Sequence, residues 1–438
     1  MSSRQWVAAV TGALIITSVV LAPTGSAATP ARPSLDEVTL SAYSTQDVIT
    51  SLKPAERKGY SSIRIDDASR KVEVRWKGKP SGELLRLLRQ KHLADDVVML
   101  PAVYDQKELK AAVKAVMQAG PAEVQVNGAT LARQDIVAAG PRTDGSGLTL
   151  RVAALALNKV SASRATAERS EPSAEGTLTH SARTFPVDIS PAADIQPAVS
   201  RDEAPTEGGH VIHLNGGTCT SAFNVYNAAG KLRALTARHC GAKGSVVSDS
   251  NYQPFGVVET SNTAHDVSMF DNSRSSMRFS PTVVGGGSHN ALWQTTYNVR
   301  HGMSVIQGSP VCVSGAYSGE RCMGLVTQVA MTVMVAGNLV DDLYWVRSVP
   351  YKEATVANTL AGPGDSGAPV YVKVAYGDTY RAAPVGILSS TYGAIYTDRC
   401  PANNITFGSK RLCSSEILVV DLYEAMQSIG ADEIYTVN

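Results

Sequence analysis

The sequence predicts a chain in two parts: a small α+β unit, then a larger all-β region. Three observations predict this. Residues 206–438 are built of short β-rich runs separated by Gly, Asn, Asp and Ser, the pattern of a sandwich or barrel. Only one helical stripe of useful length occurs in that region, close to its end. All six cysteines lie between Cys219 and Cys413, so the composition shifts near residue 200.

The elements follow in order. Arg4, the apolar run Val7 to Leu21 and the small residues Pro23 to Ala28 have the layout of a cleavable signal peptide over residues 1–28. The run is short of the ~20 residues of a membrane span and contains Thr11, Gly12, Thr17 and Ser18, so no stable membrane association is expected after cleavage. Residues 29–160 form the α+β unit. Ser61 to Asp66 and Lys71 to Trp76 alternate as strands do, with Asp66 to Ser69 as the turn. Ser81 caps a predicted helix carrying Leu84, Leu85, Leu87 and Leu88, with Gly82 early in it. Val97 to Leu100 is a short buried-type strand, and Gln106 to Met117 reads as a second amphipathic helix. Residues 161–207, rich in Ser, Ala and Pro, read as a linker.

In residues 208–438, strands are expected at Phe223 to Tyr226, Gly244 to Val247, Met323 to Val326, Val329 to Val335 and Leu343 to Val346. Asp421 caps a final helix from Leu422 to Ile429, and Gly430 stops it.

Composition excludes several classes. The chain has 438 residues, 44% hydrophobic, with 40 basic against 39 acidic residues. A net charge of +1 gives no basic surface from composition alone, so nucleic acid is not expected as a partner. The apolar share supports packed cores and argues against a disordered chain. An exported chain with an even cysteine count is expected to form disulfides. No histidine lies in HExxH or comparable metal-ligand spacing, so neither a metal nor another cofactor is expected.

Three segments carry chemistry. They are Thr236-Ala237-Arg238-His239-Cys240, Ala264-His265-Asp266-Val267-Ser268-Met269-Phe270 and Gly362-Pro363-Gly364-Asp365-Ser366-Gly367-Ala368-Pro369. A hydroxyl is a weak nucleophile near neutral pH. It needs a base within hydrogen-bond reach, and the base needs an orienting carboxylate. Glycines beside a serine permit a tight turn that offers backbone N–H groups to a developing oxyanion. Asp266 heads an apolar strand-like run, as a carboxylate buried behind an imidazole would. Asp271 and Asp249 are its rivals, and His265 is expected to be exposed.

TARHC, HDVSMF and GDSGAP, in that order, resemble the chymotrypsin-like serine endopeptidases, and most of all the secreted bacterial branch of streptogrisin and alpha-lytic protease type. The stretches Gly217 to Phe223, Val311 to Gly315 with Cys322, Gly386 to Ser389 and Ile417 to Gly430 add to the resemblance, which spans residues 208–438. It implies two packed six-stranded antiparallel β-barrels with a C-terminal helix. It implies His239 as base, Asp266 as its orienter, Ser366 as nucleophile, and the N–H groups of Gly364 and Ser366 as the oxyanion hole. It pairs Cys219 with Cys240 and Cys312 with Cys322, which leaves Cys400 with Cys413. It places Leu360 at the base of the substrate pocket and Ser389, Ser390 and Thr391 along its wall. A leucine at the base disfavours Lys and Arg side chains, because a buried cation there would lack a partner. Thr391 narrows the mouth, although a register slipped by two would put Gly393 there instead. The α+β unit then reads as a pro-region, with the mature form starting between about Ser200 and Val211 and peptide or protein as substrate. A monomer is expected, secreted to the extracellular space.

The sequence departs from the family pattern in places. Ala368 replaces a glycine. Val313 follows Cys312 where relatives often hold an arginine that pairs with the aspartate before the serine. Arg321 or the mature amino terminus are the two substitutes for that partner. Two other readings compete with the peptidase: a non-catalytic protease-like binding protein and a secreted serine esterase.

Overall fold

The computed structural model describes residues 33, 35–118, 124–126, 129–131, 135–153, 174–180, 183–192, 195–196, 206–286, 294–349, 358–376, 379–393, 395–397 and 411–437. The expected signal peptide lies outside them. No helix among the described residues is long and apolar enough to cross a membrane.

The early region opens with a helix, Leu35–Ser51, which the sequence reading missed. Val38, Ala42, Thr45 and Ile49 make its buried face at helical spacing, and Leu52 just past its end is buried too. Strands Tyr60–Asp66 and Lys71–Lys77 pair antiparallel, and the Asp66 carboxylate accepts from Ser69 N in the turn between them. Ile63, Ile65, Val72, Val74 and Trp76 point inward, which is the predicted alternation. Strand Val97–Ala102 adds in parallel, and helix Gly82–Gln90 makes the crossover. Ser81 caps that helix through Leu84 N at 3.1 Å. Only Leu84 and Leu88 of its four leucines are fully buried.

The stretch read as a linker needs correction. Ala174–His180 and Arg183–Ala192 are strands, paired antiparallel, and the second runs parallel to Leu148–Ala153. Phe185, Val187 and Ile189 alternate into a core. The prolines at 186 and 191 hid this alternation, because proline weakens a strand reading. Further on, Ile195–Gln196 pairs antiparallel with Tyr392 and Thr391.

The late region is all-β, as expected. One sheet follows the path 217–220, 211–214, 246–248, 254–262, 267–270, 232–237, 224–227 and 431–434. A second set closes on itself: Pro310–Gly315, Pro369–Tyr376, Thr379–Tyr392, Glu416–Asp421, Asn338–Ser348 and Gly319–Val335, the last pairing back to the first. That ring has the six strands of a predicted barrel, whereas the first sheet is an eight-strand path that borrows Ala431–Ile434 from the chain end. The final helix, Leu422–Ile429, is capped by Asp421 and stopped by Gly430 in the left-handed conformation, φ 70°.

The two regions share structure. Gly319–Val335 pairs with Ile136–Pro141, so the early strands extend the second sheet. One apolar core joins Val38, Ile49, Ile65 and Val74 to Ile306, Val346, Leu388 and Val419. At the seam, Lys110 Nζ lies 2.6 Å from Asp342 and 3.8 Å from Glu424. Asp421 sits in this group. Burial raises its carboxyl to about 7, with the Glu424 and Asp342 charges adding to the rise against the N–H bonds of Glu424 and Tyr423.

A carboxyl raised in the folded state holds its proton more tightly there than in the unfolded chain. Its contribution to stability therefore falls as pH rises from the ordinary carboxyl range to about 7. Asp421→Asn keeps a good helix cap and removes the charge. Denaturant midpoints should show the variant gaining on the parent between pH 5 and pH 8; equal shifts at both pH values would contradict the assignment.

Candidate active site

Strand Leu232–Ala237 runs straight into the short turn Arg238–Cys240, which carries His239. Ala237 pairs with Val267, so the start of strand Val267–Phe270 lies beside this turn. Arg238 N donates to Asp266 O at 2.9 Å. Cys219–Cys240 ties the turn to strand Gly217–Thr220 across a separation of 21 residues. Closing a loop of this size limits the unfolded chain by about 3 kcal/mol.

Asp266 has φ 41°. A non-glycine residue in that region costs roughly 1–3 kcal/mol, and aspartate is among the residues that best tolerate it. Its carboxylate is answered by donors. His239 N donates to Oδ1 at 2.9 Å, His239 Nδ1 to Oδ2 at 2.8 Å, and Ser389 Oγ to Oδ2 at 2.6 Å. Hydrogen bonds to a charged acceptor contribute about 1.5–3 kcal/mol each, so the bonds outweigh the backbone strain. With Nδ1 donating to Asp266, Nε2 faces Ser366 Oγ as acceptor at 2.7 Å.

Ser366 lies in the turn after Gly362. Gly364 and Gly367 have φ 104° and 85°. A Cβ on Gly367 would stand 2.2 Å from Thr236 Oγ1 and 2.3 Å from Thr220 O, so only glycine fits. Thr220 Oγ1 donates to Gly364 O at 2.9 Å, and Thr220 N to Ser366 O at 2.7 Å. These bonds fix the main chain that carries the N–H groups of Gly364 and Ser366. Ala368 is buried behind the turn and its N donates to Asp365 O.

Asp365 is buried and accepts from the N–H groups of Gly362, Tyr317 and Ser318 and from the Ser318 hydroxyl. These donors match the roughly four acceptor sites of a carboxylate. Neither Arg321 nor an amino terminus is required to hold it.

The rival carboxylates have other work. Asp271 accepts from Val257 N and Ser273, and Asp249 from Asn251 N and Gln253 N. His265 is half-buried, not exposed. Leu360 is fully buried, with its N donating to Ser414 O at 2.7 Å. Ser390 and Thr391 are also buried. Ser389 takes a place the sequence reading did not give it: its hydroxyl supports Asp266 rather than facing a pocket alone. Cys312–Cys322 is bonded. Cys413 is disulfide-bonded too, and its expected partner Cys400 lies outside the described residues. His239 stands close to Cys219 and Cys240, but their sulfurs are joined and offer no thiolate.

No family model matches the sequence, and no curated protein matches it. Solved structures do resemble part of the chain. The Nocardiopsis protease NAPase shares 22% identity over 53% of this chain and 99% of its own, with a TM-score of 0.37. Thermobifida fusca Protease A shares 20% over 53% and 99%, TM-score 0.36. Cellulomonas bogoriensis chymotrypsin shares 18% over 53% and 99%, TM-score 0.35.

Burial works to lower the His239 value, but the charge and hydrogen bond of Asp266 outweigh it and the net displacement is upward. Imidazole NMR should therefore find His239 titrating above the ordinary value of about 6.5. Asp266→Asn removes both upward influences, so the value should drop below that of the parent; an unchanged titration would dissociate the two residues.

Proposed function

We propose that the chain is a secreted serine endopeptidase, made as a precursor, that cleaves peptide bonds through an acyl-enzyme. One observation carries this reading. A buried carboxylate, an imidazole and a serine hydroxyl form an unbroken hydrogen-bonded line of 2.8 Å and 2.7 Å steps. His239 takes the Ser366 proton as Oγ attacks the carbonyl carbon, and returns it to the leaving amine. Asp266 holds the ring in the tautomer that leaves Nε2 unprotonated, and stabilises the imidazolium that forms. The N–H groups of Gly364 and Ser366 are assigned to the oxyanion. Water then hydrolyses the ester by the same route.

A complete triad argues against a non-catalytic binding protein. The edge of strand Thr379–Tyr392 argues for peptides over simple esters. Strand Pro369–Tyr376 covers that edge only as far as Ile387, and beyond it an extended backbone pairs with Thr391 and Tyr392. Disulfides fit an oxidising compartment outside the cell. The shared core and the strand pairing at Ala138 and Ala139 support a pro-region for the early residues. Such a segment supplies long-range strand pairing that a slow-folding β-region lacks on its own.

Ser366→Ala and His239→Ala should each lower peptidase turnover by roughly 10⁴–10⁶, with little further loss in the double variant. A fluorophosphonate should label Ser366 in the parent. Near-parental turnover in either variant would end the triad assignment. With Leu360 and Thr391 buried at the expected pocket, a peptide library should show cleavage after Ala, Val or Leu, graded about 10–200-fold by fit. Dominant cleavage after Lys or Arg would contradict the role of Leu360, and dominant cleavage after Phe or Tyr that of Thr391.

A further inference from the structure

Arg151 stands on the early strand Leu148–Ala153, opposite Ala138. Its guanidinium carbon lies 4.0 Å from the ring centre of Trp345 and 5.4 Å from that of Tyr392. Both rings belong to the late region. They meet nearly edge to face, with centres 4.2 Å apart. Trp345 Nε1 donates to Glu416 Oε2 at 2.6 Å, and Arg347 Nε lies 3.1 Å from the same oxygen. Trp345, Glu416 and Tyr392 come from three neighbouring strands, Asn338–Ser348, Glu416–Asp421 and Thr379–Tyr392. The indole is fully buried, and Arg151 Nε has no hydrogen-bond acceptor among the described residues. The negative faces of the two rings receive the charge, and of all rings an indole does this best. The bond from Nε1 to a carboxylate fixes the plane of the indole and polarises it.

Tyr392 also lies on the strand edge that takes an extended chain. Ile195–Gln196 pairs antiparallel there, Ile195 opposite Tyr392 and Gln196 opposite Thr391. Ser389, whose hydroxyl is bonded to Asp266, is three residues back, about 10 Å at ~3.4 Å per residue. Side chains directly opposite one another in an antiparallel pair share a face. A peptide laid on this edge in the direction of Ile195–Gln196 therefore sends the side chain opposite Tyr392 to the face that carries the Tyr392 ring.

We infer that Trp345 and Tyr392 form a guanidinium-binding site, filled by Arg151 in the full chain and, once the early residues leave, by an arginine side chain of the peptide being cut. The seated Arg151 shows the chemistry of the occupant. A guanidinium suits the site better than an ammonium, because it is planar, stacks on aromatic faces and is more weakly hydrated. The site is separate from the pocket based on Leu360, where a buried cation would lack a partner. Arginine is thus favoured three residues upstream of the one opposite Ser389, and not at that place. This inference rests on the peptidase reading and on the early residues as a pro-region, and it names one feature of the substrate.

The first arm of the test uses the full chain with Ser366→Ala, so that it stays whole. Adding Arg151→Ala empties the site. Ethylguanidinium should then raise the thermal midpoint, and ethylurea, its neutral isostere, should not. With Arg151 in place, ethylguanidinium should give no such rise. The second arm needs no change at this site. The active protein, as secreted, is given peptides in which one arginine is moved residue by residue, each matched by a peptide with methionine at that place. Arginine opposite Tyr392 should raise kcat/KM about 3- to 30-fold over methionine, and Tyr392→Leu should bring the ratio near one. A midpoint that ethylguanidinium moves no more than ethylurea would overturn the site. Cleavage indifferent to arginine at every place, with a fluorophosphonate still labelling Ser366, would overturn its use by substrate and leave the peptidase reading standing. A protein that neither cuts nor takes the label would end the peptidase reading, and the midpoints would still decide whether the rings hold a guanidinium.

Discussion

The carboxylate of Asp266 is the point on which the rest depends. It is buried, at 4% exposure, and a buried charge without partners is strongly unfavourable. Two different parts of the chain supply the partners: His239, through its backbone N–H and its ring, and Ser389, through its hydroxyl from a strand far along the sequence. Satisfying that charge therefore brings the turn after Leu232–Ala237, the head of Val267–Phe270 and the end of Thr379–Tyr392 together. Once they meet, the imidazole has one tautomer and one direction, and its Nε2 points at Ser366.

The second constraint is the main chain around the nucleophile. Gly367 lies too close to Thr220 and Thr236 for any side chain. Asp365 is locked by the loop through Tyr317 and Ser318. The serine hydroxyl is thus set by backbone that has no freedom to turn, which is the condition for preorganised catalysis. The early region acts at another level. Its strands extend the second sheet and its apolar residues complete the same core, so removing it would expose a face that the late region covers in no other way among the described residues.

Much of this was legible in the sequence where the signal is local. Ser81 and Asp421 cap helices because a side-chain oxygen meets an N–H group two or three residues on. The alternation of Ile63, Ile65, Val72 and Val74 gave a hairpin. The three short motifs held the residues that meet in the site, and their resemblance to a protease family supplied the roles proposed for them. What escaped was either masked or non-local. Thr and Ser hid the helix Leu35–Ser51, although its apolar spacing is regular. Two prolines hid the strand Arg183–Ala192. The Ser389 bond to Asp266 and the set of donors around Asp365 join residues far apart in sequence, and no local pattern announces them.

In the proposed reaction His239 and Asp266 make Ser366 a nucleophile, and the path runs through an ester on that serine. Rapid-quench mass spectrometry with an activated ester substrate, at a pH low enough to slow deacylation, tests it most directly. One acyl group per chain is expected on the peptide that contains Ser366, formed in a burst and lost as product accumulates. Turnover with no adduct, or an adduct on another residue, would contradict it.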